Sequence, residues 1–357
     1  MEALNLNETQ IKQTLEPLRK KQNLLRTCST LPIFFGVFGG MILNFLFPDL
    51  GIYVDIILPF LVPVSFAGFV ALVFWANKAR NAYVKAYKQL VSEKVLRACF
   101  EDAHYYPEQG FTRMEFENAG VFSLKGHSFT YRSEDLIIGR ELGVEFKQSD
   151  VRVTHRTGGK HKHTVVDVNG RLVSFQYEKE IQGRVVITSK GFAPRASSVN
   201  VYLFGNNLDI ANNPNHVGEL KIVSMEDVDF NNKFNVYAAD AHSAYYLLTP
   251  HVMEYFKALY GMDRNLSISF DGEQLYILRS GKGGIFEPPN DKKISISEEV
   301  NKSYRELQEI VRCIEAMHLD DRQEERETLD ELLHVEEQKI EKMEQTTERN
   351  YGFRLSE

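Results

Sequence analysis

Two uncharged apolar runs near the N-terminus constrain this chain more than any other feature. Leu31 to Phe47 is seventeen residues without a charge, and Ile56 to Ala76 is twenty-one. A helix needs about 20 apolar residues to cross a hydrocarbon core of ~30 Å. Inside lipid every backbone amide must also bond within its own segment. The expectation is therefore a two-helix transmembrane hairpin over 31–76, with Pro59 near the start of its second helix and Pro63 as a kink. Arg19, Lys20, Lys21 and Arg26 precede the first run, and Lys78, Arg80, Lys85 and Lys88 follow the second. The connection Pro48 to Asp55 has Asp49 and Asp55 but no Lys or Arg. The positive-inside rule then puts both termini and the main domain in the cytoplasm. Asn44 and Ser65 are too few polar groups for a conduction path. The hairpin reads as an anchor, with the lipid bilayer as its partner.

Charge narrows the remaining choices. The formal net charge is -7, and Asp320 to Glu357 holds thirteen acidic against six basic residues, which accounts for it. The rest is near neutral, so no basic surface points to nucleic acid. Three scattered cysteines, Cys28, Cys99 and Cys313, form neither a disulfide framework nor a CxxC pair.

The order along the chain predicts an α+β protein. A helical N-terminal segment (1–30) and the hairpin (31–76) lead to a linker helix (77–110), with Tyr83, Tyr87, Leu90, Val91, Val95 and Phe100 at helical spacing and Tyr105-Tyr106-Pro107 ending it. The cytoplasmic domain (111–290) reads as mostly antiparallel strands: Gly143 to Arg156, Arg171 to Tyr177, Arg184 to Thr188, Glu219 to Val223 and Phe234 to Tyr237. Asp271-Gly272 predicts a hairpin between Leu266 to Phe270 and Gln274 to Leu278. An inserted helix, Ala241 to Tyr260, starts at Asp240 and restarts at Thr249-Pro250. Val236 is expected in the core, and Tyr246 on the inner side of that helix. The C-terminal helices with their acidic tail (291–357) open on a Ser295-x-x-Glu298 capping box. Leu329, Leu333, Glu336, Ile340 and Met343 make a narrow seam there, which suits either self-association or one solvated helix.

The most chemical segment is His155 to His163. His161 and His163 alternate, and a Gly158-Gly159 turn could bring His155 beside them. Three imidazoles on one face could hold a transition metal. Arg156, Lys160 and Lys162 oppose this with positive charge, and a solvated hairpin tip is the competing reading. Glu134, Asp135, Glu141 and Glu145 could include an acid/base couple, or simply guard strand edges. No GxSxG, HExxH or Walker pattern occurs. No catalytic residue and no cofactor are assigned.

Several motifs resemble a bacterial family known as domain of unknown function 3137, or galanin-like. They are Tyr87-Lys88, Tyr106-Pro107-x-x-Gly110, Glu134-Asp135 before Gly139, Val168-Asn169-Gly170, Tyr177-Glu178-Lys179 and Gly183-Arg184. The most distinctive block is Phe234 to Asp240, then Ala244 to Pro250 and Phe286-Glu287-Pro288. Asn169 stands where that family has phenylalanine, and Tyr245 where it often has arginine. The resemblance implies a membrane-anchored cytoplasmic domain of the bacterial inner membrane with a LemA-like membrane protein as partner, and no catalytic residues. The leading expectation is a membrane-tethered binding or scaffold protein. The alternative is a membrane-bound, metal-dependent enzyme using His155, His161 and His163.

Overall fold

A computed structural model of the chain describes residues 8–32, 51–124, 128–158, 162–190, 220–281 and 296–317, with 34, 38, 45, 192, 284 and 286–288. The chain divides into two compact units. One is Met1–Gly110, Glu134–Ile137 and Lys282–Gln308; the other is Phe111–Ser133, Ile138–Gly281 and Glu309–Glu357.

In the first unit, helices α1 (Glu8–Cys28) and α2 (Gly51–Tyr87) are followed by a π-turn, Lys88–Ser92, and by α3 (Glu93–Cys99). The π-turn has a cause in the sequence. Tyr83, Tyr87, Val91 and Val95 are buried, as are Lys88, Ser92 and Leu96, so both sets recur every four residues. At 3.6 residues per turn such a stripe drifts around an α-helix. An i→i+5 turn takes up the surplus and keeps the stripe on one face. Phe100 is extended, and Asp102–Tyr106 is a strand, β1. The linker helix thus stops short of the expected Tyr105-Tyr106-Pro107. Strand β1 neighbours β2 (Phe129–Glu141) in the strand order, and just past β1 the Pro107 carbonyl accepts from the Asp135 N–H at 3.2 Å.

The transmembrane hairpin is corrected. Among the described residues no helix is long and apolar enough to cross a membrane. Most of Leu31 to Phe47 lies outside the described residues. Ile56 to Ala76 lies in α2, whose side chains are described continuously only from Pro63. Asn77, Lys78 and Arg80 then bring polar and charged groups into the same helix. The multi-pass inner-membrane location goes with it. Phe60, Val64, Phe66 and Phe74 of α2 are exposed.

The second unit is an antiparallel sheet with helices, which is α+β. A short helix, α4 (Arg113–Asn118), opens on a capping box between Thr112 and Glu115. Strand β3 (Val144–Arg156) pairs with β4 (Thr164–Ser189) from Phe146↔Phe175 to Arg156↔Thr164. Farther along β4, the same edge takes β6 (Phe234–Ala238), and β5 (Lys221–Val223) ends the order beyond it. The opposite edge of β4 takes β7 (Asn265–Ser280) along most of its length. Asp271-Gly272 is therefore no hairpin turn. β7 runs straight through it, and β4 bulges, going from Gln176 to Arg184 while β7 goes only from Gln274 to Asp271.

Helix α5 (Val228–Lys233) precedes β6. The inserted helix is two, α6 (Ala241–Leu247) and α7 (Pro250–Met262), capped by Asp240 and Thr249. Helix α8 spans Ile296–Ala316, while Ser295 and the seam Leu329 to Met343 lie outside the described residues. One core cluster gathers Phe116, Phe122, Val153, Val168, Leu172 and Leu278. Val236 is buried, but Tyr246 is 58% exposed, contrary to expectation.

Candidate functional site

His155 and His163 differ in burial and in partners. His155, late in β3, is buried, and its Nδ1 lies 2.6 Å from Oδ2 of Asp167 in β4. The Phe129 ring meets the imidazole edge-on at 5.7 Å. His163 is exposed and bonds Thr157, while His161 lies outside the described residues. Among the described residues, no group of three or more His, Cys, Asp or Glu side chains could hold a metal ion. What this end of the hairpin contains is a buried imidazole–carboxylate pair. Asp167 escaped the sequence reading because it sits in an apolar strand twelve residues from its partner. The second oxygen of that carboxylate, Oδ1, is buried without a hydrogen-bond partner.

The four candidate carboxylates differ in burial. Asp135 is buried, whereas Glu134 and Glu145 are exposed. Lys88 Nζ donates to Asp135 Oδ2 at 2.6 Å, and the Tyr105 hydroxyl donates to Oδ1. The Tyr105 ring packs edge-on against Phe286 at 5.1 Å. Asp135 holds φ at 60°, the left-handed region, which aspartate and asparagine tolerate better than other residues with a side chain. Short motifs far apart in sequence, Tyr87-Lys88, Tyr106-Pro107, Glu134-Asp135 and Phe286, thus meet around one ion pair in the first unit.

In the second unit, Arg184 is buried and donates through Nη2 to Asn118 O at 2.7 Å and to Asp271. Gly120 makes room for it: a Cβ there would stand 2.1 Å from Arg184 Nη1. Arg279 and Asp263 form a further pair at 2.5 Å. These charges bind one another, which serves cohesion better than turnover.

The surface near β5 differs. Ile222 is 70% exposed, Val228 71% and Tyr245 50%. The Tyr245 hydroxyl donates to Ser224 O at 3.2 Å, which holds the ring beside the end of β5. Ile222 pairs with Tyr237, and Val223 with the buried Val236, so alternation puts Ile222 on the face opposite the core residues of β5 and β6.

Fold and site together define an antiparallel α+β module with internally paired charges and an apolar edge. Residues 167–319 match the family described as Protein of unknown function (DUF3137). The resemblance drawn from the motifs is thereby shown over that span, which is less than half of the chain. No curated protein matches. The chain is also similar to the crystal structure of the mycobacterial trehalose monomycolate transport factor A, TtfA, at 7% identity and a TM-score of 0.29, covering 60% of this chain and 88% of that one. A likeness at that score carries no argument.

Proposed function

We propose that the α+β unit is a non-enzymatic binding or scaffold module that engages a protein partner through the surface around β5, α5 and α6. The observation that carries this reading is the exposed set Ile222, Val228 and Tyr245, with Tyr245 tied to Ser224 O. Exposed apolar side chains grouped on a folded surface commonly mark interaction sites. The paired interior charges favour the same reading over metal-dependent catalysis, since His155 is engaged by Asp167.

The test compares the native chain with a Val228→Ser/Tyr245→Ser variant. Proteins captured from lysate by the first and lost by the second are purified, and their affinity is measured directly. A LemA-like protein, the partner implied by the family resemblance, is tried first. At least tenfold weaker binding to the variant is the expected result. Equal binding, or turnover abolished by a chelator, would displace this reading.

A further inference from the structure

We infer that α2 pairs antiparallel with α2 of a second copy of this chain, through an apolar face that the fold leaves open. Phe60, Val64 and Phe74 are 71, 71 and 66% exposed, and Ala67, Ala71 and Lys78 are exposed with them. These six positions recur at 4, 3, 4, 3 and 4, the spacing that keeps one stripe of a helix facing a partner helix. Ser65, Phe69, Leu72 and Ala76 lie on the opposite face and are half-buried. Helix α1 packs against α2, so α2 has one face engaged by its own chain and one turned outward.

The size of the outward face implies a cover. Phe66, Val70 and Trp75 widen it, at 63, 49 and 59% exposure. With about 200 Å² to a fully buried aromatic side chain, the rings of Phe60, Phe66, Phe74 and Trp75 alone leave about 500 Å² open. Monomeric proteins rarely expose a contiguous apolar patch of more than a few hundred Å². Two such faces brought together supply about 1,000 Å², the size at which specific interfaces begin.

The order of side chains selects the occupant. About a point midway between Ala67 and Ala71 the stripe is self-complementary, as a closed twofold pair requires. An antiparallel copy sets Ala67 against Ala71, Val64 against Phe74, and Phe60 against the apolar stem of Lys78. The central alanines let the two helix axes approach to about 8 Å, the short end of the usual range. Charge fixes the direction. Lys78 and Arg80 lie at one end of the stripe, so a parallel pair would set each against its own copy, whereas an antiparallel pair keeps them at opposite ends. This pairing belongs to the first unit and does not rest on the binding reading above.

Sedimentation of the full chain in lipid-free buffer tests this, with Val64→Glu/Phe74→Glu and Val64→Leu/Phe74→Leu alongside. Both positions are exposed, so the fold is kept, which circular dichroism checks. The native chain and the leucine variant are expected to be dimers, and the glutamate variant to self-associate at least tenfold more weakly. Direction is read by cross-linking after Cys28 and Cys99 are replaced with serine. Val64→Cys chains mixed with Phe74→Cys chains should cross-link to each other at least tenfold faster than either does to itself, since like positions stand ~15 Å apart along an antiparallel pair. A monomeric native chain, or particles larger than a dimer, would overturn the inference. So would a glutamate variant as dimeric as the native chain, faster cross-linking between like cysteines, or a monomer that floats with phosphatidylcholine vesicles.

Discussion

Lys88 and Asp135, 47 residues apart in sequence, form a buried ion pair whose Nζ and Oδ2 are 2.6 Å apart. Removing one partner of such a pair strands the other charge away from water. Lys88→Met is expected to cost about 3–5 kcal/mol, read as a lower urea midpoint with an unchanged m-value. Lys88→Met/Asp135→Asn should recover part of that loss, since the stranded carboxylate is gone and Asn tolerates the positive φ. A Lys88→Met midpoint equal to the native one would show the pair to be solvated.

Gly170 offers a steric test. A Cβ there would lie 1.8 Å from the carbonyl oxygen of Arg279, across the β4–β7 ladder. Backbone cannot yield as a flexible side chain can, so Gly170→Ala should destabilise by about 3 kcal/mol or more. Thermal unfolding measures it. The glycine in the Val168-Asn169-Gly170 motif is thus explained by strand approach, with no catalytic role needed.

Leu142 has φ 51° and Gly143 φ 87°, the connection between β2 and β3. A left-handed conformation costs an ordinary L-residue about 1–2 kcal/mol, and Asn bears it better. Leu142→Asn is expected to raise the unfolding temperature, with a gain of about 1 kcal/mol.

Burial pushes the Cys313 thiol up to about 12, against the lowering effect of its bond with Tyr255. The folded chain keeps this proton at pH values where the unfolded chain has lost it. Stability contributed by the neutral thiol is therefore present below pH ~9 and falls as pH rises from there toward ~12, by at most about 1.4 kcal/mol per unit. Burial raises Tyr83 and Tyr131 to about 12 as well, which steepens the fall above pH ~10. Cys313→Ala should flatten the decline between pH 9 and 10. In native protein Cys28 and Cys99, which are partly exposed, should alkylate well before Cys313.

His155 and His163 should respond unequally. His155→Ala removes the partner of a buried carboxylate and is expected to cost about 2–3 kcal/mol, while His163→Gln, at the surface, should stay within about 0.5 kcal/mol. Chemical denaturation of both variants tests this. Equal effects would contradict the difference in burial between the two.

What sequence alone could reveal depended on range. β3 and the caps Asp240 and Thr249 were legible because alternation and capping are local rules. Asp271-Gly272 misled, since the same two residues suit a turn or the straight side of a bulge, and the long partner β4 decides between them. Uncharged length suggested a membrane span, but among the described residues no helix is long and apolar enough to cross a membrane. At the candidate site, His155 was visible as a histidine and Asp167 was not, because one carboxylate within Thr164 to Gly170 says nothing about which side chain lies opposite. Lys88 and Asp135 were noticed as separate motifs, and only the fold could join them.

The pairing of β4 with β7 also sets the timetable of synthesis. Asn169 N donates to Ser280 Oγ, and these residues are 111 positions apart. A ribosome adding ~5–20 residues per second needs on the order of 5–20 s to cover that distance. During this interval β3 and β4 can pair as a nascent hairpin while the β7 side of β4 has no native neighbour. Long-range strand closure is slow, and unpaired edges are sticky. The emerging chain should thus depend on holding chaperones until Ser280 clears the exit tunnel, and truncations ending before Asn265 should aggregate rather than fold.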